Sequence, residues 1–244
     1  MQHYDLASWV YEYLTEKLHG GHRLEALDLL RLEPGETVLD VPTGTGANLP
    51  LLIERIGSTG RIVAVDYSPG MLNRARAKVK KAGWSNVTLV EADARTIDAD
   101  MLGVEQVDAA ICMLGLSVVP DWPDVFQRMF DLVRPGGRVV AMDLYLDGKR
   151  SSGVANTYYK VIAQADSRRR FWEPLERQVE DIEFIDHNWF GGIARIAAGT
   201  KPLEVIDLRT PATTEPTETA AGADAAGSAD EATELVGQDG TTSE

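Results

Sequence analysis

Two hydrophobic periods alternate along the chain. Helical spacing marks residues 4–18, where Tyr4, Ala7, Val10, Tyr11 and Leu14 share a stripe, and it returns over 22–32. Between them His19 and His22 flank Gly20-Gly21, and the glycines predict a turn joining two helices. A short apolar strand, Thr37 to Val41, leads into a Gly-rich turn and a helix from Ala47 to Ile56. A second strand, Arg61 to Asp66, passes through Ser68-Pro69-Gly70 into a helix over 71–82. Proline suits that entrance, because the N–H it lacks would have no helical partner there. A third strand, Val87 to Glu91, a loop and a fourth strand, Asp108 to Met113, follow. The helix predicted over 121–132 stops at Arg134-Pro135-Gly136-Gly137, and a fifth strand covers 138–144. Beyond it, 151–168 has helical spacing, and 181–199 reads as two strands joined near Asn188 to Gly192.

Strands alternating with helices at this rhythm predict an α/β fold. Its sheet is doubly wound, mostly parallel and seven-stranded, closed by an antiparallel C-terminal pair. Right-handed crossovers put the C-terminal ends of the parallel strands on one edge, where ligands bind in such sheets. Residues 1–32 read as N-terminal helices and 33–210 as the sheet domain. From Pro211 onward the chain holds 8 acids, no Lys or Arg and hardly a large apolar residue, so 211–244 is expected to be a disordered acidic tail.

Charge divides unevenly. Of 38 acids and 24 bases in the whole chain, the first 210 residues keep 30 acids and all 24 bases, a net −6. An acidic body repels phosphate, so no nucleic-acid partner is expected. No apolar run reaches the roughly 18 residues that span a bilayer, so no integral membrane segment is expected. The opening residues lack the pattern of a secretion signal. The expected location is cytoplasmic, with peripheral contact to a membrane left open. Cys112 is the single cysteine, which excludes an internal disulfide, and its apolar surroundings mark it as a buried strand residue.

The chemistry gathers where strands end. Strand one closes as VLDVPTGTGANLP, and Gly44 and Gly46 remove side chains where backbone must approach a ligand at a helix N-terminus. Asp66 ends strand two, placed to accept both hydroxyls of a ribose; Asp93 follows strand three, placed to accept an exocyclic amine such as that of adenine. The set is nucleoside-shaped. A dinucleotide would want a third glycine where Leu49 stands and would have no use for Asp40. S-adenosylmethionine has no phosphates, and its ammonium group favours an acidic strand end such as Asp40. The residues therefore favour S-adenosylmethionine, with a nicotinamide-dependent oxidoreductase as the alternative.

Taken together, VLDVPTGTG, GRIVAVDYSPGML, VTLVEADA, CMLGLSVVPD and LVRPGGRVV resemble, in this order, the motifs of the class I S-adenosylmethionine-dependent methyltransferases. Within that group the chain is similar to the ubiquinone/menaquinone C-methyltransferases and the bacterial phospholipid N-methyltransferases. Tyr4-Asp5 followed by Tyr11-Glu12 matches their paired aromatic-acid openings, while LGLSVVPD matches the quinone branch only in part. The resemblance implies that residues 1–32 cap the site, with Tyr11 at the cofactor. Gly44, Thr45 and Gly46 then contact the methionine moiety, Asp66 the ribose, and Asp93 with Ala94 the adenine edge. It also implies that Tyr67 and Met71 pack on the base while Met113 and Leu114 line the other side. The family's first glycine is replaced by Pro42, which lacks an N–H, so a cofactor-binding protein without transfer activity is a further alternative.

The implied activity is methyl transfer to a small apolar or lipid-like acceptor, by quinone-type C-methylation or phospholipid-type N-methylation. No catalytic residue is identified. Positioning supplies most of the catalysis in such a reaction, so no triad is needed. With only Asp143 as a carboxylate after strands four and five, no metal is expected. His187, in DHNWF, is a candidate base, although a hairpin-turn surface position accounts for it as well. Tyr158, Tyr159, Trp172, Trp189 and Phe190 are candidates to wall the acceptor pocket.

Overall fold

A computed structural model describes residues 8–146, 165–189 and 192–203, all within the compact unit Met1–Val205. Seven strands form one sheet: β1 (Thr37–Asp40), β2 (Arg61–Asp66), β3 (Val87–Glu91), β4 (Val107–Met113), β5 (Val133–Tyr145), β6 (Glu183–Trp189) and β7 (Gly192–Thr200). Their order is β3-β2-β1-β4-β5-β7-β6. The first five are parallel, β7 runs antiparallel to β5, and β6 antiparallel to β7. The fold is therefore the predicted mixed, doubly wound sheet.

Six helices are described: α1 (Ser8–Leu29), α2 (Leu49–Ile56), α3 (Pro69–Ala82), α4 (Ala99–Leu102), α5 (Trp122–Leu132) and α6 (Glu173–Glu176). Strand residues alternate between two cores, as a sheet covered on both faces demands. Val38, Ile62, Ala64, Val140 and Met142 meet Leu27, Leu30, Leu49, Leu52 and Ile56 of the α1–α2 side. Leu39, Val63, Val65, Val139 and Ala141 meet Val125, Phe126, Met129, Phe171 and Trp172 on the opposite side.

Three expectations need correction. The turn predicted at Gly20-Gly21 does not form: α1 runs unbroken through both glycines. A glycine weakens a helix by only about 1 kcal/mol, and burial of Ala26, Leu27 and Leu30 against the sheet outweighs that. The preceding helix stops at Leu132 as expected, but Arg134 to Gly137 is no separate turn: it belongs to β5 as a bulge, where the register with β4 slips between Val107 and Ala109. A Cβ on Gly137 would lie 2.4 Å from the Asp108 carbonyl oxygen, so this close pass requires glycine. His187 lies inside β6 rather than in its hairpin turn. Of the helix predicted over 151–168, residues 165–168 are not helical and the remainder lies outside the described residues. Residues 4–7 and the acidic tail also lie outside them. The two short helices α4 and α6 were too brief to leave a periodic signal.

Candidate functional site

The ends of β1, β2 and β3 lie side by side, because Asp40 pairs with Ala64 and Asp66 with Glu91 in adjacent registers. Asp40 is fully buried beneath this edge. Its carboxylate accepts from Thr43 Oγ1 at 2.6 Å and from Asn48 Nδ2 at 2.7 Å, while the buried Arg23 of α1 donates to Asn48 Oδ1. Asn48 precedes α2 without capping it, its side chain being committed to this chain of contacts. Burial pushes the Asp40 pKa up to about 6, against the opposing pull of the Thr43 and Asn48 hydrogen bonds and of Arg23.

Above Asp40 the turn opens outward. Gly44 has φ 58°, and a Cβ there would meet nothing within 4 Å; its N–H donates to Asp66 Oδ2 at 2.7 Å. The other Asp66 oxygen accepts from Ser68 N at 2.9 Å. Two backbone donors thus fix one carboxylate beside open space. Gly46 differs: at φ 75° its Cβ would press on Leu49 and Ala75, so it lets α2 and α3 pack closely. Thr45 is buried. The Val41–Pro42 peptide is cis, and Pro42 packs on Gly115 in the loop after β4, where a Cβ would lie 2.3 Å from Pro42 Cδ.

Beyond Asp66, Tyr67 is 55% exposed while Met71 is buried beneath the start of α3. Ser68 caps that helix by accepting from Met71 N at 3.3 Å, and Pro69 opens it as expected. Asp93 is not idle in this structure. Arg95 grips both its oxygens, at 2.6–3.0 Å, and also reaches Asp121 at 2.7 Å; the Arg95 hydrogen bonds hold the Asp93 carboxyl below its usual range. Ala94 packs beside them on the core. Met113 is buried at the end of β4, and Leu114 takes a left-handed φ of 56°, a conformation a branched side chain rarely adopts. Tyr11 falls on α1, in a stretch whose side chains are outside the described set.

Sequence reasoning missed the struts of this edge. Asp143, fully buried, accepts from Ser117 N at 2.8 Å and so anchors the loop after β4; burial pushes its pKa up to about 6. Arg169 donates to the Leu116 carbonyl at 2.7 Å and also to that of Val119. No spacing signal foretold Arg23 or Arg169, since each acts across a long sequence separation, whereas Asn48 reaches Asp40 within the same turn, eight residues back. Among the proposed acceptor-wall aromatics, Trp172 is a core residue, edge-on to Phe171 and Tyr145 with Arg195 over its ring. Tyr158, Tyr159, Phe190 and the Trp189 side chain lie outside the described residues. Cys112 is buried, and burial pushes its thiol far up, so it is no nucleophile.

Strand order and this edge define a class I S-adenosylmethionine-dependent methyltransferase, and comparison with known proteins agrees. The methyltransferase domain family matches residues 38–137. A demethylmenaquinone methyltransferase of Oceanobacillus iheyensis is 31% identical over 190 residues, covering 78% of this chain and 75% of the relative. One from Listeria welshimeri is 34% identical over 130 residues, covering 53% of this chain; this chain thus spans about half of that relative's length, 54%. A solved S-adenosylmethionine-dependent methyltransferase from Aquifex aeolicus superposes with a TM-score of 0.52 at 21% identity, covering 73% of this chain and 89% of its own, which shows the shared fold. The chain belongs to the class I S-adenosylmethionine-dependent methyltransferases. Within them it resembles the demethylmenaquinone methyltransferases.

Proposed function

We propose that the protein transfers a methyl group from S-adenosylmethionine to a small lipid-like acceptor, with carbon methylation of a quinol ring as the first candidate. One observation carries the reading: Gly44, bonded to Asp66, stands beside open space at the strand edge above the buried Asp40, in a chain related over 190 residues to a demethylmenaquinone methyltransferase. In this reading Asp66, oriented by the N–H groups of Gly44 and Ser68, accepts the ribose hydroxyls. Tyr67 stacks on the adenine from its exposed side, Met71 packs beneath it, and Asp93 with Ala94 meets the base edge. Gly44, Thr45 and Gly46 follow the methionine moiety, Asp40 supplies negative potential beneath its ammonium group, and Met113, Leu114 and Tyr11 enclose the rest.

The bound donor supplies an activated methyl group on a sulfonium. The chain's own work is alignment and exclusion of water, for which proximity can supply about 7–11 kcal/mol. The loop 114–121, held by Asp143 and Arg169, forms the acceptor's side of the edge. An acidic body and the relatives' printed activity both favour a lipid-like acceptor over nucleic acid. Among the described residues no helix is long and apolar enough to cross a membrane.

The test is incubation with methyl-labelled S-adenosylmethionine, using a short-chain demethylmenaquinol and, separately, fractionated cell extract. Label on the quinol ring supports the reading; label only in RNA or protein refutes the acceptor. Calorimetry with NAD and S-adenosylhomocysteine separates the oxidoreductase alternative, since tight NAD binding without a response to S-adenosylhomocysteine would exclude a methyltransferase. Binding with no transfer to any fraction would identify the non-catalytic alternative that Pro42 raises.

A further inference from the structure

The loop after β3 places Asp93 at the strand edge and then fixes it. Ala92 N donates to the Asp66 carbonyl at 3.1 Å, so Asp93 follows directly beside Asp66. Its backbone is held from within the loop: Thr96 N and Thr96 Oγ1 both donate to the Asp93 carbonyl, at 2.9 and 3.0 Å. Ala94 and Ile97 pack into the core on either side of Arg95. The Asp93 side chain is held separately. Arg95 Nε lies 3.0 Å from each carboxylate oxygen, and Arg95 Nη2 donates to Oδ2 at 2.6 Å. The Arg95 backbone N–H adds a bond to Oδ1 at 3.0 Å.

The far side of this guanidinium is anchored too. Arg95 Nη1 donates to Asp121 Oδ2 at 2.7 Å. Asp121 immediately precedes α5, where an aspartate side chain ordinarily caps the helix, yet it makes no capping bond. Its carboxylate serves Arg95 instead. Arg95 therefore stands between two anions, one from the loop after β3 and one from the loop after β4. The Asp93, Arg95 and Asp121 side chains are 27%, 41% and 55% exposed, and ion pairs so open to water add little to stability. What the arrangement supplies is orientation, because a planar fork fixes the carboxylate it grips.

An ionised carboxylate offers hydrogen-bond acceptors only. The Arg95 hydrogen bonds hold the Asp93 carboxyl below its usual range, so it is ionised at neutral pH. Facing a purine, such a group pairs with the 6-amino group of adenine, a donor, and repels the 6-carbonyl of hypoxanthine, an acceptor. Discrimination of this kind needs the carboxylate at one angle, since a hydrogen bond weakens steeply as it bends. We propose that Arg95, anchored by Asp121, is a positioning residue that aims the Asp93 carboxylate at the donor's base and so sets the preference for adenine. The backbone of the loop is secured by Thr96 and the core, so loss of the Arg95 side chain frees the Asp93 carboxylate to turn and leaves the loop in place. The inference rests on the reading that Asp93 meets the base edge, and it adds the group that makes that contact selective.

The test measures, by calorimetry on the full chain, the Kd of S-adenosylhomocysteine and of S-inosylhomocysteine, which differ only at carbon 6 of the purine. Wild type should bind the adenine ligand about 10-fold or more tightly, the scale for one hydrogen bond to a charged group. Arg95→Ala should cut that preference about threefold or more, and Arg95→Lys should recover little of it, because an ammonium lacks the fork that holds both oxygens. Asp121→Asn should move the preference the same way by a smaller factor. Tm should be unchanged in all three variants, which separates aim from folding. Asp93→Ala distinguishes the inference from the reading beneath it. If Asp93→Ala abolishes the preference while Arg95→Ala leaves it intact or raises it, the role of Arg95 is overturned and Asp93 keeps its place at the base. If Asp93→Ala leaves the preference intact, Asp93 does not meet the base and both fall. An Arg95→Ala loss shared equally by the two ligands would show a merely structural part, and it too would overturn the proposal, as would a wild type without preference.

Discussion

At the residue scale, Asp40 links burial to binding. Its pKa, raised by burial to about 6, means that the folded state favours the protonated form. Its contribution to stability is therefore present below the unfolded value near 3.8 and is lost as pH rises through about 6. Cofactor binding runs the other way, because a cationic donor favours the ionised carboxylate. Affinity for S-adenosylmethionine should fall as pH drops through about 6, measured by calorimetry between pH 5 and 7.5. On the proposed site, Asp66→Ala would remove acceptors for the ribose hydroxyls and should weaken S-adenosylmethionine binding by about 1.5–3 kcal/mol, the scale for hydrogen bonds to a charged group. Gly115→Ala tests the Pro42 turn: with a Cβ only 2.3 Å from Pro42 Cδ, it should cost about 1–3 kcal/mol in denaturant unfolding.

At the scale of elements, α1 joins fold to site. Its C-terminal half docks through Ala26, Leu27 and Leu30, while Arg138 donates to the Leu29 carbonyl at 3.1 Å and so ties the helix end to β5. Leu27→Ala should cost about 2–5 kcal/mol, the range for a buried leucine. Gly20 and Gly21 are helical, and a Cβ on either meets nothing within 4 Å. Gly20→Ala and Gly21→Ala should each stabilise by about 0.5–1 kcal/mol, seen as a higher Tm. Destabilisation by both would mean that a turn interrupts the helix after all.

At the scale of the whole molecule, charge and composition separate body from tail. The stretch from Pro211 to Glu244 carries 8 acids and only Leu235 and Val236 as larger aliphatic residues. Truncation after Thr210 should therefore leave Tm and S-adenosylhomocysteine affinity unchanged, since no core-forming residue is removed. A fall of several degrees in Tm would show that the tail contributes to the folded body.

The sheet and its edge were legible in the sequence because their signals are local. A parallel strand buried on both faces reads as an apolar run, and the turn after it must carry small residues and acids where a nucleoside approaches. Asp40, Gly44, Asp66 and Asp93 could thus be found by counting along the chain. What stabilises them could not. Arg23 meets Asn48 across 25 residues and Arg169 reaches Leu116 across 53, pairings created only when helices dock on the sheet. The Gly-rich stretch between His19 and His22 was misread for the same reason. Local propensity favours a turn there, but apolar burial further along α1 holds the helix straight, and only then do the two histidines meet each other and His187. Sequence alone determined the class of fold and the placing of acids and glycines at the ends of its parallel strands, since both follow from periodicity and spacing. The tertiary structure decided which polar groups hold that edge and which histidines come together, because those contacts depend on the docking of distant elements.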